Sequence, residues 1–155
     1  MLRPRLFHVS EDAEIARFAP RPVPSPDSGV TGEAVWAVAE SHLCNYLLPR
    51  DCPRICFRAG PQSTEADRAA LLHGAARVVA FEASWLERVQ AANLAVYELP
   101  PALFDSALPE AGYWISREAV QPVAMTTVAD SLARLVADGV EVRVLQDFWP
   151  LSDAV

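Results

Sequence analysis

Lysine is absent from the 155-residue chain, in which all 13 basic side chains are arginines. A catalytic Schiff-base lysine and a phosphate-loop lysine are therefore excluded. Positive charge is also outweighed: against 20 acidic residues the formal balance is 13 − 20 = −7. This disfavours nucleic acid as a partner, because sequence-independent affinity for a polyanion rests on neutralising its phosphates. Long apolar runs are missing too. The longest aliphatic stretches, such as Val78 to Phe81, fall far short of the roughly 20 apolar residues that cross a bilayer, so no membrane partner is expected. Met1 to Asp12 contains no apolar signal-peptide core and is already acidic at Glu11. Cysteine is limited to Cys44, Cys52 and Cys56, an odd set that suits a reducing compartment. The expected location is cytoplasmic. No glycine-rich turn follows the first strand, so the dinucleotide-binding fingerprint of a doubly wound fold is absent.

What remains is 52% hydrophobic and 21% charged, the composition of a soluble globular domain. At this length one core buries enough apolar surface that no disulfide, structural metal or obligatory cofactor is required. No internal repeat or charge block divides the chain, and a single domain over residues 1–155 is expected. The one biased segment is 20–32, where Pro20, Pro22, Pro24 and Pro26 alternate with other residues before Asp27, Ser28 and Gly29. Alternating prolines fix φ and remove donors, which predicts an extended surface loop packed on its own domain.

Short β-branched and aromatic runs predict strands at Arg5 to Val9, Ala34 to Val38, Arg54 to Phe57, Arg77 to Phe81, Ala95 to Leu99, Tyr113 to Ser116 and Val140 to Leu145. Helices are expected between them. Thr64 and Asp67 form a capping-box pattern opening a helix that Gly74 closes, and a second short helix runs from Ser84 to Ala92. Glu40 to Leu48 reads as a helix stopped by Pro49. A further helix follows Thr127, with Val128, Leu132, Leu135 and Val136 on one face and Gly139 as its stop. The fold class is α+β: a mixed, strongly curved sheet of about seven short strands with short helices packed around it.

Three groups of residues could carry chemistry. On the first strand the period of two places Leu6, His8 and Ser10 on one face. His8 is then either a half-buried imidazole satisfied by backbone groups or a hydrogen bonder orienting a ligand in a cleft. Tyr46, Arg50 and Asp51 flank the end of the Glu40 to Leu48 helix. They form either an aromatic plate beside a fixed cation or a core cap beside a solvated ion pair. In the late strand, Trp114, Ser116 and Glu118 share a face, with Glu118 as a charge stabiliser or as a strand-end carboxylate in water.

His42, Cys44, Cys52 and Cys56 are ligand types that zinc accepts, but their spacing departs from close ligand pairs on knuckle turns, and no metal is expected. Cys56 in a strand serves equally as a small hydrophobe, and no cysteine occupies a niche that would activate it. His73, before Gly74, suits a helix C-terminus. Arg50, Arg54 and Arg58 form no continuous basic stripe if 55–57 is a strand.

The segments LFHVSED (6–12), RFAPRPVPSPDSGV (17–30), VWAV (35–38), NYLLPRDCPR (45–54), YELP (97–100), GYWISRE (112–118) and WPL (149–151) together resemble an uncharacterised family of bacterial proteins, a domain of unknown function. That resemblance spans nearly the whole chain and implies no activity. The order of His8 with Ser10, a proline loop, Trp36, Tyr46 and Glu118 also resembles ADP-ribosyltransferase-like domains. This second resemblance implies an NAD cleft, with NAD as substrate. His8 would orient the nicotinamide ribose, Tyr46 or Trp36 would stack on nicotinamide, and Glu118 would stabilise the oxocarbenium-like ribose.

Two principal functions follow. In one, His8 and Glu118 are catalytic, while Ser10, Trp36, Tyr46, Arg50 and Trp114 bind NAD or a related nucleotide for ADP-ribosyl transfer or NAD glycohydrolysis. In the other, the cleft is a non-catalytic module for a small molecule or peptide, and Trp36, Trp114 and Trp149 supply contact area. A nucleic-acid-processing relative of the same fold is a third reading and would need the Arg50, Arg54 and Arg58 cluster.

Overall fold

A computed structural model describes residues 2–23 and 28–155. Pro24 and Pro26 of the proline segment lie outside the described residues. The strands are β1 (Leu6–Ser10), β2 (Arg21–Pro22), β3 (Glu33–Ala39), β4 (Ile55–Arg58), β5 (Arg77–Glu82), β6 (Leu94–Leu99), β7 (Asp105–Leu108), β8 (Tyr113–Ser116), β9 (Ala124–Val128) and β10 (Glu141–Leu145). The α-helices are short: α1 (Glu65–Asp67), α2 (Leu86–Ala91), α3 (Ser131–Ala137) and α4 (Trp149–Ala154). The α+β class stands, and a seven-stranded sheet with short helices is present. None of the described helices is long and apolar enough to cross a membrane.

The chain divides into two compact units, one of Met1–Leu43 with Leu94–Val128 and one of Cys44–Asn93 with Ala129–Val155. Each is assembled from two separated stretches, so no single cut isolates either.

The first unit holds the seven-stranded sheet, ordered β7-β8-β3-β1-β6-β9 with β2 also paired to β3. Every pairing in it is antiparallel. Among the described residues the one parallel pairing joins β10 to β5 in the second unit. Leu6 sits opposite Ala39 on one side and Leu99 on the other, and it is fully buried. The face that carries it continues through Val35, Ala37, Ala95 and Tyr97, and is closed by Phe18, Phe104 and Val120. Arg5 bridges the start of β1 to Glu40 and Glu98, and its guanidinium holds the Glu98 carboxyl below the usual range.

Between β1 and β2 the chain crosses this face. It is pinned there by Tyr97, whose hydroxyl donates to the Asp12 carbonyl at 2.6 Å and accepts from the Ile15 N–H at 3.0 Å. Phe18 then forms an isolated antiparallel bridge with Val120.

The second unit holds a three-stranded sheet, β10-β5-β4, in which β5 runs antiparallel to β4 and parallel to β10. Central strand β5 is a continuous apolar run, with Val78, Val79, Ala80 and Phe81 all at 0% exposure, as a central strand covered on both faces requires. The Thr64/Asp67 capping box is present, with reciprocal bonds of 3.0 and 3.3 Å. After α1 the backbone widens into a π-turn over Arg68–Leu72 and stops at His73 in the left-handed region, φ 50°.

The helix expected directly after Thr127 begins later, at Ser131. Thr126, Thr127 and Val128 are β-branched and pair with β6, while Asp130 caps the helix by accepting from the Ala133 N–H at 3.0 Å. Ser131 and Leu135 are buried and Val136 faces solvent, so the buried stripe differs from the expected one. The segment 40–46 is a 3-10 helix.

Tyr97 is 2% exposed. Removing its hydroxyl strands an acceptor and a donor beneath the crossing segment. Tyr97→Phe is expected to lower unfolding free energy by about 1–3 kcal/mol, read by urea denaturation, with an effect near zero contradicting the clamp.

Candidate functional site

The sheet of the first unit parts at His8. Strands β1 and β3 pair at Leu6↔Ala39 and Phe7↔Val38 and no further. Beyond that point β1 stays with β6 through His8↔Tyr97, Val9↔Val96 and Ser10↔Ala95, while β3 takes β2 as its neighbour at Ala34 and Glu33. His8, half-buried, occupies the fork. Its ring packs on Phe18, with centroids 4.7 Å apart, and its Nδ1 lies 3.4 Å from the Trp36 carbonyl oxygen. In the tautomer with hydrogen on Nδ1 the imidazole donates to that carbonyl, and Nε2 is then the acceptor nitrogen.

Ser10, two residues on along the same face, accepts the Asp12 N–H at 3.0 Å in the turn that leaves the strand. His8, Ser10, Trp114 and Ser116 share one face of the sheet by register. Trp36 projects from the other face, where its ring meets Tyr113 edge-on at 5.6 Å. Its Nε1–H is buried and has no hydrogen-bond acceptor among the described residues. A single flat ligand cannot touch the His8 and Trp36 side chains from one side of the sheet.

Trp114 packs against the core of the first unit and has the Arg3 guanidinium over its ring at 5.8 Å. Arg3 is held by the Pro101 and Phe104 carbonyls. Glu118 lies beyond the end of β8 and is exposed. Its backbone closes a turn on Ser116, whose hydroxyl donates to the Glu118 carbonyl at 3.1 Å and accepts the Glu118 N–H at 3.2 Å. Next to it, Arg117 donates to the Thr31 and Glu33 carbonyls at 2.6 and 2.8 Å, tying this turn to the start of β3.

Tyr46, half-buried, and Arg50, exposed, belong to the second unit. The first unit alone thus brings together His8, Ser10 and the fork, without Tyr46 or Arg50.

The His42, Cys44, Cys52 and Cys56 set divides between the units. The imidazole of His42 sits between Ser41 Oγ, 2.8 Å from Nδ1, and the Glu110 carbonyl, 3.0 Å from Nε2. Gly112, with φ +70°, leaves it room: a Cβ there would lie 2.5 Å from Nδ1. Cys44 accepts from Arg77 Nη1 at 3.2 Å. Among the described residues no cluster of three or more His, Cys, Asp or Glu side chains is placed to hold a metal.

Arg54 of the basic trio is committed to the backbone. Its guanidinium donates to the carbonyls of Cys52, Asn45 and Pro49 at 3.1, 2.9 and 2.5 Å, which closes the loop before β4. Sequence reasoning passed over this role, and over Tyr97 and Phe18, because each depends on contacts between residues far apart in the chain or on loop carbonyls that no periodicity marks.

The chain matches, over residues 7–155, the model of a family of unknown function, DUF6886. It belongs to that family. No curated protein and no solved structure matches the chain, so the likeness to ADP-ribosyltransferase-like domains gains no support from these comparisons. The family-wide resemblance expected from the quoted segments is met, and the family brings no activity with it.

Burial pushes the Cys56 thiol up to about 11, with Cys44 adding to the rise and Arg54 and Arg77 opposing it. Burial raises Cys52 as well. Since the thiolate is the reactive form, Cys56 in the folded chain is expected to resist aromatic disulfide reagents at pH 7.5 and to react on denaturation. Mass-mapped labelling checks this, and rapid native labelling of Cys56 would contradict it.

Proposed function

We propose that the chain is a non-catalytic binding module whose small-molecule ligand docks where β1 parts from β3, with His8 as its main polar contact and Ser10 beside it. The fork carries this reading. Where neighbouring strands separate, backbone groups that would pair with each other are left facing one another, and at this fork a half-buried imidazole packs on the buried ring of Phe18 with its Nδ1 3.4 Å from the Trp36 carbonyl. Apolar walls with a few convergent polar groups are what small ligands require. A nucleotide is the ligand class to test first, since its base and ribose carry the kind of hydrogen-bonding groups that a half-buried imidazole recognises.

Glycosidic cleavage of NAD asks for more. A carboxylate must meet the developing ribose cation where water is excluded, because the same charge in water stabilises it far less. Glu118 is exposed and held in a turn by its backbone, which favours binding over turnover. The commitment of Arg54 to carbonyls removes the central member of the basic trio and weighs against a nucleic-acid role.

Titration calorimetry with NAD and AMP tests the proposal. The folded wild-type chain should show saturable binding weakened about tenfold or more by His8→Ala, a change of about 1.4 kcal/mol, and unaltered by Glu118→Gln. Nicotinamide should not be released. Release that Glu118→Gln abolishes would replace this reading with a transferase or glycohydrolase, and absence of binding at millimolar concentration would reject the nucleotide class.

A further inference from the structure

We propose that β9 is a dimerisation edge, on which a second copy of the chain adds its own β9 antiparallel to extend the seven-stranded sheet. The sheet ends at β7 on one side and at β9 on the other, and the two edges differ in kind. Strand β7 carries Asp105 and an irregular register between Ser106 and Leu108, and charge and bulges are devices that keep an edge from pairing. Strand β9 has neither. Its pairing with β6 is regular over all five residues, and residues 123–127 are exposed in succession, with Val123 at 63% and Met125 at 41%. A regular, β-branched, uncharged edge with its outer row of backbone groups open is a template for another strand.

Charge selects the occupant. Between Glu118 and Asp130 lie eleven residues, 119–129, without Asp, Glu or Arg, the longest such stretch in a chain of net charge −7. Two copies meeting elsewhere on an acidic surface would tend to oppose like charges, whereas two β9 strands bring none together. The segment is also its own partner. In a twofold antiparallel register centred on Thr126, that residue faces its own copy, Met125 faces Thr127 and Ala124 faces Val128. These pairs are apolar or hydroxyl-bearing, and cross-strand threonine and β-branched pairs are favourable.

Sedimentation velocity on the full chain across low to high micromolar concentrations, with circular dichroism to check folding, tests this. Wild type should sediment as a dimer. Thr126→Lys sets two like charges opposite each other at the dyad while leaving an exposed side chain in each monomer, so it should be monomeric, as should Thr126→Glu. An equimolar mixture of the two variants should recover the dimer. A wild-type chain monomeric at every concentration overturns the proposal and leaves the edge to a foreign strand. Undiminished dimerisation of folded Thr126→Lys overturns it by placing the interface elsewhere.

Discussion

The first unit depends on how β1 shares its two edges. At Leu6 and Phe7 it is bonded on both sides, to β3 and to β6. From His8 onward only β6 remains. The departing chain must then cross the sheet before it can return as β2, and the buried hydroxyl of Tyr97 holds that crossing by its two backbone bonds. Phe18 reaches both His8 and Tyr97, so the imidazole is packed by the segment whose path the fork dictates. The fork, the clamp and the position of His8 are one construction.

Much of this architecture could be read from residue patterns. Strands such as Tyr113–Ser116 and the run around Val78 to Phe81 stand out because their side chains carry the signal locally, by aromatic content or by unbroken apolarity. Thr64 and Asp67 announce a cap because the motif spans three residues. Strands β2, β7 and β9 were hidden for a different reason. Two residues containing Pro22 have no period, Asp105–Leu108 is polar at its start, and Ala124–Val128 owes its strand state to the backbone of β6. In each case a distant neighbour supplies the stabilisation. Val128 shows the competition most clearly, since it fits a helical stripe with Leu132 and Leu135 but lies opposite Leu94.

The candidate site was legible only in part. The period of two placed His8 and Ser10 on one face, and register keeps them there. It could not show that Trp36 projects from the opposite face, because relative facing is set by the pairing of β1 with β3, which is non-local. Nor could it show that Ser116 would use its hydroxyl to turn the chain at Glu118. Of the three tryptophans proposed for contact area, Trp114 lies beneath Arg3 and Trp36 meets Tyr113, while Trp149 is exposed and belongs to the second unit. The proposed site therefore rests on His8 at the parting of the strands.

Backbone NMR during titration with NAD examines that claim at the residue level. Ligand binding at the fork should shift the amides of His8, Val9 and Ser10, together with those of Trp36 and Ala37 across the opening. Shifts confined to the second unit, with β1 unmoved at saturation, would contradict a site at His8.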